Sequence, residues 1–278
     1  LDKKKLWNGK KFSGNLMVVG EQGLGDYVLF GSMLNDLTKI HDDITVMMNE
    51  RMLSIFIRSF PKINFINFNE SIERKSYKKY IFFGSLGKHL RNSAKEFPKK
   101  QISFLFPDKN KINKIKESLK NNSKKNIGLS WKTSSLNNKN ERSIDLNNFG
   151  PLFQNKNYNF VNLQYGETGK ERSFIKKKFD IELLHFKDID YTNDIEKLAA
   201  LISNCDLVIT IANFTAQFSG SIGTPTWVLL PYSCHWRWFL NRTDSPWYPS
   251  VKLFRQKKWA DWDSVIKKIN LEINNLKR

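Results

Sequence analysis

Short apolar runs alternate with helix-like segments along the whole chain, and this alternation limits the possible fold more than any other feature. Candidate strands lie at 15–20, 44–48, 63–68, 79–83, 126–131, 158–163, 181–186, 206–211, 225–230 and 251–255. Helix-like stretches lie between them, at 26–39, 50–58, 108–121, 167–178, 193–204 and 214–222. Strands that alternate with helices of this length form βαβ units and parallel sheets. The runs are continuously apolar, as in "DLVITI" and "TWVLL", which is typical of strands buried on both faces.

A polar break divides this alternation into two series. The charged helix-like segment that begins at 108 runs into "NNSKK", which is typical of a linker, and the strand-like "NIGLSW" follows. The 278 residues are enough for two domains of ordinary size. We therefore predict two Rossmann-like α/β domains, at 1–122 and 123–278, whose strands end at a cleft where such folds bind ligands.

The C-terminal segment repeats apolar residues at helical spacing. These residues are Trp262, Val265, Ile266, Ile269, Ile273 and Leu276. An apolar stripe of this kind predicts an amphipathic helix with one buried face.

Charge and cysteine content narrow the classes of partner and compartment. The net charge of +19 comes mostly from Lys residues that are spread along the chain. We therefore expect a field that attracts anionic substrates and at most weak association with an anionic membrane surface, and we expect no nucleic-acid partner. Cys205 and Cys234 form no Cys-x-x-Cys motif, which favours a reduced, cytoplasmic setting. Because the chain begins at Leu1 rather than at a Met, we expect the natural protein to continue upstream.

"GEQGLGD", residues 20–26, is a glycine-rich turn between the first strand and the first helix. It is not a Walker A loop, because no Gly-Lys-Ser/Thr follows, and its glycines are spaced GxxGxG rather than GxGxxG. Glu50 lies near the end of the second strand, where dinucleotide-binding proteins carry an acid for the ribose, so a dinucleotide-dependent enzyme stays open. Asp26 is either a first-turn acid that accepts backbone N–H groups or a residue with a chemical role.

Basic residues follow the first strand of the second series. Trp131 and Lys132 end "GLSWK", and Arg142 and Ser143 follow in "ERSI". A Lys and an Arg where a parallel strand ends suit a diphosphate. Surface charge would give the same pattern in so basic a chain.

A second strand-to-helix junction combines polar and small residues. "TIANFTAQFSG" contains Asn213, Thr215 and Gln217, together with Ala216 and Gly220. Small residues let a ligand approach the N-terminus of a helix, and such termini bind phosphate. Tight packing of the helix on the sheet would also require the small residues, but not the polar ones.

Acidic residues follow two more strands. "LQYGETGKE" places Gln164, Glu167 and Glu171 where a strand ends, and an acid there could hold a ribose diol. Asp188 and Asp190 form an Asp-x-Asp pair of the kind that binds a divalent metal in some sugar transferases. A match of two residues is too short to predict a metal, and we expect neither a metal nor a bound cofactor.

Several long stretches resemble the glycosyltransferase region that follows tetratricopeptide repeats in many bacterial proteins. They include "LWNGKKFSGNLMVVGEQGLGDYVLFGSMLNDL", "KLAALISNCDLVITIANFTAQFSGSIGTPTWVLLP" and "WRWFLNRTDSPWYPSVKLFRQKKWADWDSVI", and the resemblance covers nearly the whole chain. More distantly, the chain is similar to heptosyltransferases and to the catalytic region of O-linked N-acetylglucosamine transferases. The resemblance implies the GT-B fold, a nucleotide-diphosphate sugar donor in the C-terminal domain, and inverting transfer without a metal. It also implies upstream tetratricopeptide repeats and a protein, glycan or lipid-linked acceptor.

The resemblance assigns roles to individual residues. In heptosyltransferase-like enzymes the acid after the glycine turn acts as base toward the acceptor hydroxyl, which implies Asp26 here, with Gln22, Gly23 and Gly25 beside it in the turn. The donor diphosphate would contact Lys132. The residues expected to bind the donor are Trp131, Lys132, Arg142, Ser143, Gln164, Glu167 (or Glu171, for the ribose), Asn213, Thr215, Ala216, Gln217 and Gly220.

The chain departs from the family at one motif. The family sequence Asp-Thr-x-x-Ala-His-x-x-Gly corresponds here to residues 212–220, with Ala212 in place of the Asp and Gln217 in place of the His. Three functions therefore stay open: an active glycosyltransferase, a catalytically weak relative that binds a nucleotide-sugar or a protein, and a dinucleotide-dependent enzyme.

Overall fold

The computed structural model describes residues 2–21, 23–70, 77–98, 103–119, 123–134 and 139–275. The chain forms two compact units, Leu1–Phe106 and Pro107–Arg278. Each unit has its own parallel sheet, flanked by helices, so the expected α/β fold is confirmed. All ten predicted strands coincide with strands of the structure.

The first unit contains a sheet of four parallel strands in the order β3-β2-β1-β4. The strands are β1 Leu16–Val19, β2 Ile44–Met48, β3 Asn64–Asn67 and β4 Lys79–Phe82. The helices are α1 Leu24–Gly31, α2 Leu34–Leu37, α3 Glu50–Ser59 and α4 Gly87–Leu90. The order in which strands are added to the sheet reverses at β1, between β1 and β4. The loops that follow β1 and β4 therefore lie side by side, where such sheets bind ligands.

The sequence predicted one helix over 26–39, whereas the structure has α1 and α2. The guanidinium of Arg91 explains the break. Its Nη2 donates to the Ser32 carbonyl oxygen at 2.7 Å and its Nη1 to the Ser32 hydroxyl at 3.0 Å. Arg91 is also paired with Asp36 at 2.9 Å. A side chain distant in sequence thus takes a carbonyl that a continuous helix would use.

The second unit contains a sheet of six parallel strands in the order β10-β9-β8-β5-β6-β7. The strands are β5 Lys125–Ser130, β6 Tyr158–Asn162, β7 Leu183–Leu184, β8 Leu207–Ile211, β9 Thr226–Leu230 and β10 Val251–Arg255. The helices are α5 Lys109–Ser118, α6 Lys139–Arg142, α7 Gly150–Phe153, α8 Gly169–Phe179, α9 Ile195–Ser203, α10 Phe214–Ile222 and α11 Trp262–Asn275. This is the doubly wound order of nucleotide-binding folds, and the winding reverses between β5 and β8.

The helix α11 is the predicted amphipathic C-terminal helix. Its apolar face packs into the core of the second unit through Trp262, Val265, Ile266, Ile269 and Ile273. Leu276, the last residue of the predicted stripe, lies outside the described residues.

The two units divide at 106/107, whereas the sequence analysis placed the boundary at 122/123. The helix α5 belongs to the second unit because it packs on α9. Asn204 at the end of α9 donates to the Ile112 carbonyl of α5 at 3.0 Å, and Ile115 of α5 is buried. Apolar packing thus places this charged helix with the segment that follows it.

Candidate functional site

Gln164, directly after β6, fixes the end of β5. Its side chain is fully buried, and its Oε1 accepts three hydrogen bonds: from the Ser130 hydroxyl at 3.0 Å and from the backbone N–H groups of Trp131 and Lys132, each at 2.9 Å. A buried amide with several partners holds its neighbours in one geometry. Gln164 therefore shapes the turn after β5 and holds the backbone of Lys132 in place.

Asn213, after β8, connects β5 to α10. Its Nδ2 donates to the Ser130 hydroxyl at 2.8 Å and to the Lys132 carbonyl at 3.3 Å. Its Oδ1 caps α10 by accepting the Ala216 N–H at 3.4 Å. The Thr215 hydroxyl lies 3.4 Å from that of Ser130. The junctions after β5 and β8 thus form one buried neutral polar network where the sheet's winding reverses.

A charged cluster lies over this network. Lys132 Nζ is 2.6 Å from Glu171 Oε2 and donates to the Glu167 carbonyl at 3.0 Å. The other oxygen of Glu171 accepts the indole N–H of Trp131 at 2.8 Å. Trp131 is completely buried in the core, so its side chain positions Glu171 and offers no exposed ring for a nucleobase. Lys132 is the partly exposed cation of this cluster, and its charge is compensated by Glu171.

Glu167 is exposed and lies directly before Thr168, the N-cap residue of α8. Its Oε1 accepts the Gly169 N–H at 2.5 Å, and this bond lowers the pKa of the carboxyl below its ordinary value. The ionised form of the carboxyl is therefore favoured, while Lys132 Nζ contacts the backbone carbonyl of Glu167 rather than its carboxylate. The neighbouring His185 accepts at Nδ1 from the Asn162 amide Nδ2 at 3.0 Å, and burial lowers the pKa of the imidazole.

Arg142 at the end of α6 reaches the start of α10. Its Nη2 donates to the Ala212 carbonyl at 2.6 Å. Burial lowers the pKa of this guanidinium, and the nearby charge of Arg237 lowers it further. Ser143, the next residue, accepts the Thr133 N–H at 3.2 Å and so ties α6 to the turn after β5.

Gln217 lies in the second turn of α10 and is nearly buried. Its Oε1 accepts from Arg237 Nη1 at 2.7 Å and from the Tyr248 hydroxyl at 3.5 Å. Ala216 and Gly220 are also buried. A Cβ on Gly220 would lie 2.8 Å from Tyr248, so glycine is required there for packing against the loop before β10. The small residues of α10 thus serve close packing, and the polar ones form contacts at its N-terminus.

The carboxylate of Asp26 accepts a backbone hydrogen bond at the N-terminus of α1. The Gly23 N–H donates to Asp26 Oδ2 at 3.3 Å, while the Asp26 N–H donates to the Gly23 carbonyl at 2.9 Å. Gly25 lies between them in the first turn, and Gln22 is outside the described residues. Asp26 therefore caps α1, as one of the two sequence interpretations required. Its carboxylate is partly exposed at the carboxyl end of the first sheet.

The Asp-x-Asp pair has local partners. Asp190 Oδ1 accepts the N–H groups of Thr192 and Asn193, and Asp188 Oδ2 lies 3.8 Å from Lys197 Nζ. Within the described ranges, no group of three His, Cys, Asp or Glu side chains could hold a metal ion. Among the helices in those ranges, none is long and apolar enough to cross a membrane.

Two contacts of charged residues near this end of the sheet were not predicted from the sequence. No role was predicted for Arg237, and the contact of Glu171 with Lys132 was not foreseen. Glu171 is 39 positions from Lys132 and Arg237 is 20 positions from Gln217, so no local pattern indicates these contacts. The only available signal was that each follows a predicted strand on the same edge of the sheet.

A separate open depression of about 920 Å³ lies at the opposite, amino end of the second sheet. It is lined by α5, the first residues of β5 and residues 203–206. Ligands of open parallel sheets bind at the carboxyl ends of the strands. We therefore assign the functional site to the carboxyl end, where the charged cluster lies.

Comparisons with known proteins identify the fold. No protein-family model matches the chain. The chain is 30% identical over 282 residues to Protein FlbA of Caulobacter vibrioides, covering 95% of this chain and 47% of that protein. It thus spans about half the length of the curated relative that it matches.

Solved structures with the same architecture include glycosyltransferases. The ADP-heptose LPS heptosyltransferase II of E. coli superposes with a TM-score of 0.64 at 12% identity, over 94% of this chain and 98% of that one. The glycosyl transferase family 9 protein of Veillonella parvula gives a TM-score of 0.62 at 13% identity, over 94% and 89%. At these identities the similarity establishes the fold, and it confirms the expected GT-B architecture of two Rossmann-like units.

Proposed function

We propose that the chain is the glycosyltransferase part of its protein and transfers a sugar from a nucleotide-diphosphate sugar to an acceptor hydroxyl, with inversion and without a metal. The observation that carries this proposal is the arrangement at the winding reversal of the second sheet. There, the N-terminus of α10, Lys132 and Arg142 lie together around one polar network. Cationic side chains and free helical N–H groups are the means by which proteins bind phosphate.

The donor would lie with its diphosphate at α10 and its ribose near Glu167 or Glu171. The nucleotide-sugar class is supported by the fold neighbours, one of which is named for ADP-heptose. A panel of nucleotides and nucleotide-sugars identifies the base and the sugar of the donor.

The proposed transfer uses Asp26 as the base. The acceptor oxygen bonds to the anomeric carbon and its proton moves to the Asp26 carboxylate. At the same time the bond from the anomeric carbon to the β-phosphate oxygen breaks, and its electron pair leaves with the nucleoside diphosphate. Cations at the diphosphate stabilise the charge that develops there.

The dinucleotide alternative is disfavoured by the capping of α1. A dinucleotide pyrophosphate binds at the N-terminus of the helix after the first strand, where it accepts the free N–H groups. Here the carboxylate of Asp26 accepts the Gly23 N–H at that place. A second anion would be repelled by it.

The decisive experiment is a panel of nucleotides and nucleotide-sugars, tested first by thermal shift and then for release of nucleoside diphosphate with a mixture of acceptors. The proposal expects one nucleoside diphosphate and its sugar conjugate to raise the melting temperature, and expects that conjugate to be turned over. Binding without turnover would support the alternative of a binding module with Ala212 and Gln217 at the altered motif. Stabilisation by NAD or NADP alone would replace the proposal with the dinucleotide enzyme.

A further inference from the structure

We infer that Arg237 and Arg142 together form the diphosphate-binding site of this chain, at the N-terminal end of α10. Arg237 has no assigned role in the function proposed above. The inference rests on that function for the identity of the ligand. The inference differs from the proposed function because it names the two guanidinium groups, rather than Lys132, as the main source of positive charge at the diphosphate.

The position of Arg142 supports this assignment. Its guanidinium donates to the carbonyl of Ala212, the residue directly before the N-cap of α10. Among the described residues, no carboxylate forms an ion pair with Arg142. A half-buried cation without a compensating anion is costly. A bound anion at this place would supply the missing charge.

Arg237 brings a second cation to the same helix. Its Nη1 donates to Gln217 Oε1, in the second turn of α10, at 2.7 Å, and its Nε contacts His235 Nδ1 at 3.1 Å. Its charge is close enough to lower the pKa of Arg142, after the larger effect of burial. Two like charges held near each other repel, and an anion between them turns that repulsion into attraction.

The helix itself contributes to the same site. The nine residues of α10 begin at Phe214, and the side chain of the N-cap residue Asn213 accepts the Ala216 N–H of the first turn. The positive end of the helix dipole adds to the field of the two guanidinium groups. Arginine also binds phosphate oxygens in a two-pronged geometry that a Lys ammonium lacks.

Lys132 is less suited to carry the charge of the ligand. Its ammonium is 2.6 Å from the carboxylate of Glu171, so a diphosphate would compete with an anion already in contact. The two arginines are also placed to act on the transition state. The departing nucleoside diphosphate carries one more negative charge than the donor, so their contribution grows as the bond to the sugar breaks.

The test compares single variants in the full chain by isothermal titration calorimetry with inorganic pyrophosphate, ADP, GDP and UDP. Because pyrophosphate has no nucleobase, its affinity measures the anion site alone. We expect R237A and R142A each to weaken pyrophosphate affinity by roughly tenfold to a hundredfold, the effect of removing one charged hydrogen bond. Arg237→Lys keeps the charge and should lose less.

Arg242→Ala is the matched control. Arg242 lies in the same loop, is more than a third exposed and is paired with Asp244 at 2.7 Å. It should leave pyrophosphate affinity unchanged. The melting temperature of each variant without ligand shows whether the fold is intact, and R237K provides a folded reference if R237A is unstable.

The outcomes separate the inference from the proposed function. Unchanged pyrophosphate and nucleotide affinity in R237A and R142A overturns the inference and leaves the glycosyltransferase proposal standing. Loss of affinity in both, without sugar transfer by the unmodified protein, supports the anion site and counts against the transferase. If the unmodified protein binds none of the ligands, both fail.

Discussion

At the scale of single residues, Asp26 combines a structural contact with a proposed chemical role. Its carboxylate accepts the Gly23 N–H at the start of α1, which accounts for an acid in the glycine turn without any catalytic function. The base proposed for the acceptor hydroxyl is the same carboxylate. A substitution that preserves the cap and removes the basicity separates the two roles.

Asp26→Asn is that substitution. Asn caps helices about as well as Asp, so the melting temperature should change little. Asn cannot take a proton, so sugar transfer should fall by about two to four decades if Asp26 is the base. Nucleotide affinity should stay the same, because the proposed partner is the acceptor. Transfer at near-normal rate by this variant would show that Asp26 is a cap only.

Lys132 and Glu171 form an ion pair, and a substitution of each member tests its contribution to nucleotide binding. Lys132→Ala removes a charged contact to the diphosphate, worth about 1.5–3 kcal/mol if the contact forms, so nucleotide binding should weaken by about one to two decades. Glu171→Gln is the matched change: it keeps an acceptor for the Trp131 indole and releases Lys132 from its ion pair. We expect it to bind pyrophosphate at least as tightly as the unmodified protein. Equal affinities in calorimetry for Lys132→Ala and the unmodified protein would remove Lys132 from the site.

The two cysteines differ in reactivity. Burial, with a smaller effect of Asp206, raises the pKa of the Cys205 thiol to about 12, and Cys234 is only partly buried. Because the thiolate is the reactive form, iodoacetamide at pH 8 should label Cys234 first in the folded protein and both residues in denaturant. Mass spectrometry of the labelled peptides gives the order. Rapid labelling of Cys205 in the folded protein would contradict its burial.

At the scale of elements, α10 is where packing and ligand binding meet. Its small residues bring it close to the loop before β10, and its N-terminus lies beside the polar network after β5. Gly220 packs on Tyr248 in the C-terminal half of the helix, whereas the proposed anion site lies at its N-terminus. A change at Gly220 should therefore affect stability without affecting the binding of an anion.

Gly220→Ala tests this division. The new Cβ would lie 2.8 Å from Tyr248, so we expect a loss of about 1–3 kcal/mol in the free energy of unfolding. Gly87→Ala in α4 is the control, because the nearest atom to its Cβ is 4.0 Å away, and it should be neutral or stabilising. Urea denaturation measures both. If Gly220→Ala is as stable as Gly87→Ala but loses pyrophosphate affinity, the glycine serves the ligand instead of the packing.

At the scale of the whole molecule, each unit has its own sheet and its own buried residues. The second unit contains every residue assigned to donor binding. The position of its boundary matters, because α5 was separated from it by the sequence analysis and is joined to it by the structure.

A fragment that begins at residue 107 contains the helix α5, and a fragment that begins at residue 123 lacks it. We expect 107–278 to fold on its own and to bind pyrophosphate as the full chain does. We expect 123–278 to be less stable, since it exposes the surface of α9 on which Ile115 and Leu119 are buried, at about 1.5–3 kcal/mol for each apolar side chain. Melting curves and calorimetry compare the two. Equal stability of both fragments would show that α5 is not part of the second unit.

The sequence by itself determined the strands and the class of fold. Continuous apolar runs such as β8 and β9 can be stable only as buried strands, and their alternation with helical segments leaves parallel sheets as the solution. It also placed Lys132, Glu167 and Asn213 correctly at the ends of strands, because position at a strand end is a local property. The capping of α1 by Asp26 was readable for the same reason.

Only the tertiary structure decided what these residues contact. Arg91 ends α1 from 59 positions away, Glu171 compensates Lys132 from 39 positions away, and Arg237 reaches Gln217 from 20. It also decided that Trp131 is core rather than surface, and that α5 joins the second unit. Ion pairs and packing depend on distances in space between segments far apart in the chain, and local periodicity contains no information about those distances.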